Sequence, residues 1–147
     1  MGNLEISKLI FSVVPNFMSL VRCHIKHVSE PRLGFVQFRI LANIERGIDN
    51  AKVISDLHGV SQAAISKTVE GLVGEGLMSR HINQNDRRCV KLGLTSKGRK
   101  IVNSIKLDAS KSFEDNLNLL NENEKRKLIC ALECLESFFV KIQESKT

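Results

Sequence analysis

The chain has 147 residues, a formal net charge of +6 at pH 7, and neither Trp nor Tyr. A chain of this length forms one domain, or one compact unit with helical extensions, so a multi-domain enzyme is not expected. Hydrophobic residues make up 42% of it, but no stretch supplies the roughly 18 uncharged apolar residues of a membrane span. We therefore expect a cytoplasmic protein that does not enter a membrane.

The first predicted element is a long helix. Apolar residues recur at helical spacing from Ile6 to Val28, and Pro15 is the steric interruption at which we expect a kink. The apolar stripe is wide for so small a chain. It predicts a subunit interface.

Three shorter helices and a tight turn are predicted next. One begins near Phe35, the second is capped by Asn50 and ends at Gly59, and the third is capped by Ser61. The short link between the last two helices predicts a helix-turn-helix. Phe35, Phe38, Leu41 and Ile44 recur at helical spacing in the first of these helices, and the second carries Ile54 and Leu57. The predicted buried face of the third holds Ile65, Val69, Leu72 and Val73.

After Gly76 the apolar pattern changes from helical to alternating. Residues 77–82 and 89–94 are predicted strands, the second with Val90, Leu92 and Leu94 on one face. The polar, turn-prone residues 83–88 lie between them. This pattern predicts a β-hairpin with a basic tip, which beside a helix-turn-helix forms a wing.

Two long helices are predicted after the hairpin. Thr95 caps the first, and Asn121 with Glu124 resembles a capping box at the start of the second. The predicted fold is therefore mainly α with a small β-hairpin wing: a winged helix-turn-helix at 33–94, flanked by dimerisation helices at 4–30 and 96–145. All of these segments would form one unit over residues 1–147.

The basic charge is concentrated in one part of the chain. Between Ser61 and Lys100 there are eight basic and three acidic residues, whereas the rest is almost neutral. Such a cluster is typical of a protein that binds a polyanion, because each neutralised phosphate releases counterions. A solvated basic face without a partner would show the same concentration of charge.

The helix capped by Ser61 leaves short polar side chains on its outer surface. Gln62, Ala63, Ser66 and Lys67 lie opposite the predicted apolar face. Gln can pair with adenine, Ala can contact a thymine methyl group, and Ser or Lys can bind bases or phosphate. We expect this helix to enter the major groove of double-stranded DNA, although an ordinary amphipathic surface helix would show the same pattern.

Arg87 and Arg88 are candidates for insertion into a minor groove, where the potential is most negative. Asp86 beside them could orient one arginine through a charge-assisted hydrogen bond. A turn-forming Asp next to solvated arginines would fit this stretch of sequence as well.

The segment from Gly59 to Lys100 resembles the core of the MarR family of bacterial winged helix-turn-helix transcription regulators. The matching motifs are Gly76-Leu77, Asp86-Arg87-Arg88 and Leu94-Thr95-Ser96-Lys97-Gly98. The resemblance implies that Arg88 reaches the minor groove and that Asp86 holds it, while Ser61, Gln62, Ser66 and Lys67 face the major groove. It also implies a homodimer, which we expect to repress transcription from a near-palindromic operator with half-sites roughly 34 Å apart.

The same resemblance suggests how such a protein is regulated. Some members bind small aromatic or phenolic compounds, and Phe17, Met18, Val21 and Phe38 are candidates for lining such a site, although they equally suit core packing. Others sense oxidants through a cysteine in the first helix, where this chain has Cys23. Redox sensing through Cys23 is therefore an alternative to ligand binding.

The remaining cysteines and histidines indicate neither a metal site nor an enzyme. Cys89 follows the wing arginines, and Cys130 and Cys134 lie one helical turn apart, as do His24 and His27, without further ligands at matching spacing. No nucleophile, base and orienting group recur together, so we expect no catalytic residues, metal or cofactor. The sequence also allows a winged-helix protein-interaction module, or a small thiol-dependent enzyme that uses Cys23 and His24.

Overall fold

The computed structural model describes the backbone of residues 2–28, 33–83 and 86–145, and the side chains of these ranges except at positions 28, 82–83, 86–89 and 143. The elements in chain order are α1 (Asn3–Val28), α2 (Phe35–Glu45), α3 (Ala51–His58), α4 (Gln62–Gly74), β1 (Met78–Asn83), β2 (Asp86–Leu94), α5 (Ser96–Leu117) and α6 (Glu122–Glu144). The predicted fold class is confirmed: mainly α, with a two-stranded antiparallel hairpin.

Side-chain caps and one left-handed glycine define the helix-turn-helix. The Asn50 side chain accepts hydrogen bonds from the N–H groups of Lys52 and Val53, at 2.8 and 3.3 Å, and so starts α3. Gly59 ends α3 at φ 63°, a conformation that costs glycine little. Ser61 then caps α4 by accepting from the Ala64 N–H at 3.2 Å. The predicted capping and turn are confirmed.

The hairpin begins pairing closer to its tip than the sequence predicted. Met78 lies opposite Leu94 and Ile82 opposite Val90, and after an irregularity Asn83 lies opposite Asp86. Strand β2 therefore begins at position 86 instead of 89, and the backbone of residues 86–88 belongs to the strand. The prediction of a loop over 83–88 was wrong there, because antiparallel pairing continues past the last apolar position.

Most residues of the core come from α2, α3, α4, the two strands and α5. Its fully buried members include Ile40, Leu41, Ile54, Ile65, Leu72, Leu77, Val69, Val102 and Ile105. In α3, Ile54 is fully buried, whereas Leu57 is 43% exposed. Val90 is also exposed, unlike Leu92, since it lies closer to the tip of the hairpin.

The base of the wing is locked onto the start of α5. The Thr95 hydroxyl donates to the Gly76 carbonyl at 2.7 Å and accepts from the Gly98 N–H at 3.0 Å. A Cβ at position 98 would lie 2.0 Å from the Leu77 carbonyl oxygen, so only glycine fits this approach. The Leu-Thr-x-x-Gly motif thus has a packing role.

The chain divides into two units, residues 1–109 and 110–147. In the first, the Ile25 side chain of α1 reaches the core, whereas most of the large apolar side chains of this helix are exposed, with Phe11 at 81%. By length and composition α1 could also span a membrane. In the second unit, an Asn121–Glu124 capping box starts α6, as predicted.

Candidate nucleic-acid interface

The N-terminal half of α4 presents a continuous polar surface. Ser61, Gln62, Ala63 and Lys67 are exposed, and Ser66 is half-buried. The opposite side of the helix carries Ile65, Val69 and Leu72, all buried in the core. Burial of this apolar side holds α4 in place and aims the polar side outward. The residues of α4 that were predicted to contact DNA therefore lie on one side of the helix, away from the core.

The wing arginines follow the tip of the hairpin in sequence and in structure. The backbone of Asp86, Arg87 and Arg88 runs in β2. Their side chains lie outside the described part of the structure, as does the predicted contact between Asp86 and Arg88. These three residues carry two positive charges and one negative charge, and the strand places them on the hairpin beside α4.

Polar contacts that the sequence did not reveal connect the wing to its surroundings. Arg80 of β1 and Glu70 of α4 form an ion pair at 3.8 Å, with side chains 40% and 66% exposed. Lys91 of β2 pairs with Asp49 at 3.6 Å, and the Leu92 N–H donates to the Asp49 carbonyl at 3.0 Å. Asp49 thus binds β2 through both its side chain and its carbonyl group, contacts that no local sequence signal indicates.

These contacts leave part of the basic cluster uncompensated. Besides the ion pairs of Arg80 and Lys91, Lys97 donates to the Glu75 carbonyl at the end of α4, at 2.8 Å. Lys67, Arg99 and Lys100 are exposed and form no ion pair with a described carboxylate. Exposed cations beside a polar helix face are suited to binding phosphate groups.

A pocket of about 550 Å³ opens between the end of α1, the start of α2 and the middle of α4. Its walls are formed by Arg22, Gly34, Phe35, Val36, Gln37, Lys67, Thr68 and Gly71. The Arg22 guanidinium lies over the Phe35 ring, 5.1 Å from its centroid, and Arg39 lies 5.9 Å from the same centroid. Sequence patterns missed this pocket because helices distant in sequence form it.

None of the four predicted ligand-binding residues lines this pocket. Phe38 is buried in the core, and Val21 is partly buried against that core. Met18 is half-buried, and Phe17 is 38% exposed. The four side chains therefore occupy quite different environments in the chain.

A histidine contact joins α2 to the end of α3. Asn43 Nδ2 lies 3.1 Å from His58 Nε2, which accepts the hydrogen bond when the ring is neutral. Burial, and secondarily the positive charge of Arg39, lower the pKa of His58 below its ordinary value of 6.5. The neutral form of this histidine is therefore the form that suits the fold.

The described thiols and imidazoles do not cluster into a metal site. Cys23, Cys130 and Cys134 are exposed free cysteines, and the Cys89 side chain lies outside the described residues. Within the described part of the chain, no group of three His, Cys, Asp or Glu residues could hold a metal ion.

Comparison with known proteins shows what this arrangement is similar to. Residues 35–90 match the model of the MarR family. A MarR transcriptional regulator from Methanosarcina mazei Go1 is 25% identical, with a TM-score of 0.73, and the match covers 92% of this chain and 99% of that one.

Two other solved structures share the fold. Wild-type MarR from E. coli, in its apo form, is 21% identical with a TM-score of 0.72, and the match covers 88% of this chain and 95% of that one. RV1404 from Mycobacterium tuberculosis is 22% identical with a TM-score of 0.74, and the match covers 93% of this chain and 94% of that one. The predicted resemblance is confirmed: residues 35–90 match the MarR family, and the chain has the winged-helix fold of a solved MarR transcriptional regulator.

Proposed function

We propose that this protein is a cytoplasmic, homodimeric repressor that binds a near-palindromic DNA operator and is released by a small ligand. It has no enzymatic activity. The observation that carries the proposal is the exposed polar half of α4 beside a basic hairpin, a pairing that fits one helix in the major groove and one wing against the neighbouring minor groove.

In this proposal α4 supplies base recognition. Gln62 and Ser66 carry the hydrogen-bonding groups, and Ala63 is small enough to let the helix approach a thymine methyl group. Ser61 caps the helix, and Lys67 binds phosphate. The wing contributes Arg88, which Asp86 holds for the minor groove, with Arg87 beside it.

The proposed dimer rests on apolar side chains that the single chain leaves uncovered. In α1 they include Leu4, Leu9, Phe11 and Val13, and in α6 they include Ile129, Leu132 and Phe139. Soluble proteins rarely expose so many large apolar side chains, so we assign the segments 4–30 and 96–145 to dimerisation and 33–94 to DNA binding. A partner subunit, instead of a membrane, would then cover α1.

Selection from random duplexes tests the proposal directly. The full-length protein should retain duplexes containing two inverted half-sites whose centres are about one helical turn apart. Affinity for the selected duplex should exceed that for a shuffled duplex and fall with added salt. Binding that ignores sequence would contradict a sequence-specific regulator, and a protein that retains no DNA would favour a protein-interaction module.

Substitution of the wing arginine sharpens this test. Arg88→Ala should weaken binding to the selected duplex by about 1 to 3 kcal/mol if Arg88 makes a specific contact. Arg126→Ala removes the same charge from the exposed surface of α6, outside the proposed interface with DNA, and serves as the matched control. Fluorescence anisotropy measures both. Equal affinities of the two variants would contradict the wing assignment.

A further inference from the structure

Two exposed cysteines lie one helical turn apart on α6. Cys130 and Cys134 carry free thiols, and both residues are exposed. The half-buried apolar residues Leu128 and Leu135 lie on a different side of the same helix. Successive residues of a helix are about 100° apart, so the two thiols share one surface that is rotated by about 120° from these leucines. The thiols therefore face away from the half-buried side of α6.

The spacing of the two thiols favours chelation over a disulfide bond. Residues four apart on a helix have Cβ atoms about 5 to 6 Å from each other. A disulfide requires Cβ atoms only about 3.5 to 4.5 Å apart, so closing one here would deform α6. A single soft atom bonded to both sulfur atoms spans the wider separation, and thiolates prefer soft partners. The regular helix therefore presents Cys130 and Cys134 as a two-thiol ligand.

The number of ligands restricts what the pair can bind. Within the described ranges, no group of three His, Cys, Asp or Glu residues could hold a metal ion. Zinc sites in proteins use three or four protein ligands, so zinc does not fit two thiols. A trivalent arsenic atom that already carries one carbon substituent has two exchangeable positions. This number equals the number of thiols that α6 supplies.

An aromatic ring continues the surface that carries the thiols. Phe138 is 47% exposed and follows Cys134 by four residues. Long side chains of a helix point back toward its N-terminus, so this ring leans over the turn that carries Cys134. The Phe139 ring centroid lies 6.3 Å from that of Phe138, with the ring planes at 40°. A planar apolar substituent on the arsenic would gain an aromatic contact there.

We propose that Cys130 and Cys134 form a dithiol site for an aryl-substituted trivalent arsenical, with Phe138 beside the aryl group. When the arsonous acid binds, two S–H bonds and two As–O bonds break, two As–S bonds form, and two water molecules leave. Arsenic stays trivalent, so the reaction requires no oxidant or reductant. The inference does not rest on the proposed function, because no residue proposed to contact DNA takes part.

Calorimetric titration of the reduced full-length protein with phenylarsine oxide, which hydrates to phenylarsonous acid, tests the site. One equivalent should bind per chain, and native mass spectrometry should show the added mass of the acid minus two water molecules. Cys130→Ser and Cys134→Ser should each weaken binding at least about a hundredfold, because the second As–S bond of the intact pair forms within the molecule. Cys23→Ser removes an exposed thiol from α1 and should leave the affinity unchanged.

The double variant Cys134→Ser/Ser137→Cys is the matched control for spacing. It keeps two thiols on one side of α6 but places them seven residues, or about 10 Å, apart along the axis. Its affinity should equal that of Cys134→Ser in native buffer. In urea that unfolds the chain, its affinity should approach that of the wild-type protein, because a flexible segment closes either loop at similar cost. Circular dichroism in native buffer verifies that each variant is folded.

Three results would overturn the dithiol site: no binding of phenylarsine oxide, tight binding that survives Cys130→Ser, or equal native affinities of the wild-type protein and the double variant. The aromatic contact has its own test. Phe138→Ala should lower the preference for phenylarsonous over methylarsonous acid several-fold, whereas Val140→Ala, at an exposed apolar position on another side of α6, should not. An unchanged preference in Phe138→Ala would contradict the place given to the aryl group.

Discussion

The segment from α2 to β2 and the helix α1 use apolar residues in opposite ways. Within the first, Ile40, Leu41, Ile54, Ile65 and Leu72 are fully buried. Among the described side chains of α1, Ile25 is buried in that core and Val21 packs partly against it, whereas Phe11 is 81% exposed. The first segment buries its apolar side chains within one chain, whereas most of those of α1 are left exposed. Stability of the lobe and assembly of the proposed dimer should therefore respond to different substitutions.

The largest expected effect is on the lobe itself. Leu72→Ala should lower the free energy of unfolding by about 2 to 5 kcal/mol, because it leaves a cavity in a fully buried position. Leu57→Ala removes the same side chain from an exposed site of α3 and is the control. Urea unfolding followed by circular dichroism compares them, and similar losses would contradict the assigned core.

Gly98→Ala should cost about 1 to 3 kcal/mol or more, because the new Cβ would overlap the Leu77 carbonyl and force the start of α5 away from the wing. Gly74→Ala is the control, since nothing lies within 4 Å of a Cβ there and alanine favours the helix. The same urea titration measures both. Tolerance of Gly98→Ala would mean that α5 does not approach the wing so closely.

Phe11→Glu should weaken self-association at least about tenfold, or about 1.4 kcal/mol, because it places a charge on an apolar face that we assign to the dimer. Lys8→Glu changes an exposed polar residue of the same helix and serves as the control. Sedimentation velocity over a range of concentrations measures the monomer fraction. A dimer that survives Phe11→Glu unchanged would move the interface away from this part of α1.

The smallest expected effect is a pH dependence within the lobe. Burial and Arg39 lower the pKa of His58 in the folded state, so the unfolded chain binds this proton more tightly. The contribution of neutral His58 to the free energy of unfolding should be fully present above pH 6.5. It should be lost as the pH drops below that value and through the lower pKa of the folded state. His58→Gln should flatten this slope in urea titrations between about pH 7 and 5. If the slope is unchanged in this variant, other titratable groups cause the pH dependence.

The helix-turn-helix could be predicted from sequence because its signals are local. Asn50, Gly59 and Ser61 act on backbone groups within a few residues of themselves, and each was found in its predicted role. The wing was predicted less well. Alternation of apolar residues revealed its strands, but pairing at Asn83 and Asp86 extends β2 beyond the last apolar position.

The pocket could not be predicted, because its components come from three separate helices. Arg22 follows no motif, and the position of Lys67 on α4 predicts only a DNA-facing residue. Phe35 matches a helical apolar pattern, although its ring lies beneath two guanidinium groups. Periodicity reports which side of a helix is apolar, but it does not report which other helix approaches that side.

The sequence by itself determined the helices, the caps, the turn and the basic character of the region between Ser61 and Lys100, since these depend on neighbouring residues and on composition. Only the tertiary structure decided that Leu57 stays exposed, that Asp49 binds β2, that Gly98 meets the Leu77 carbonyl, and that Arg22 and Lys67 share a cavity. Each of these depends on the packing of segments distant in sequence, where side-chain volume and charge act across space instead of along the chain.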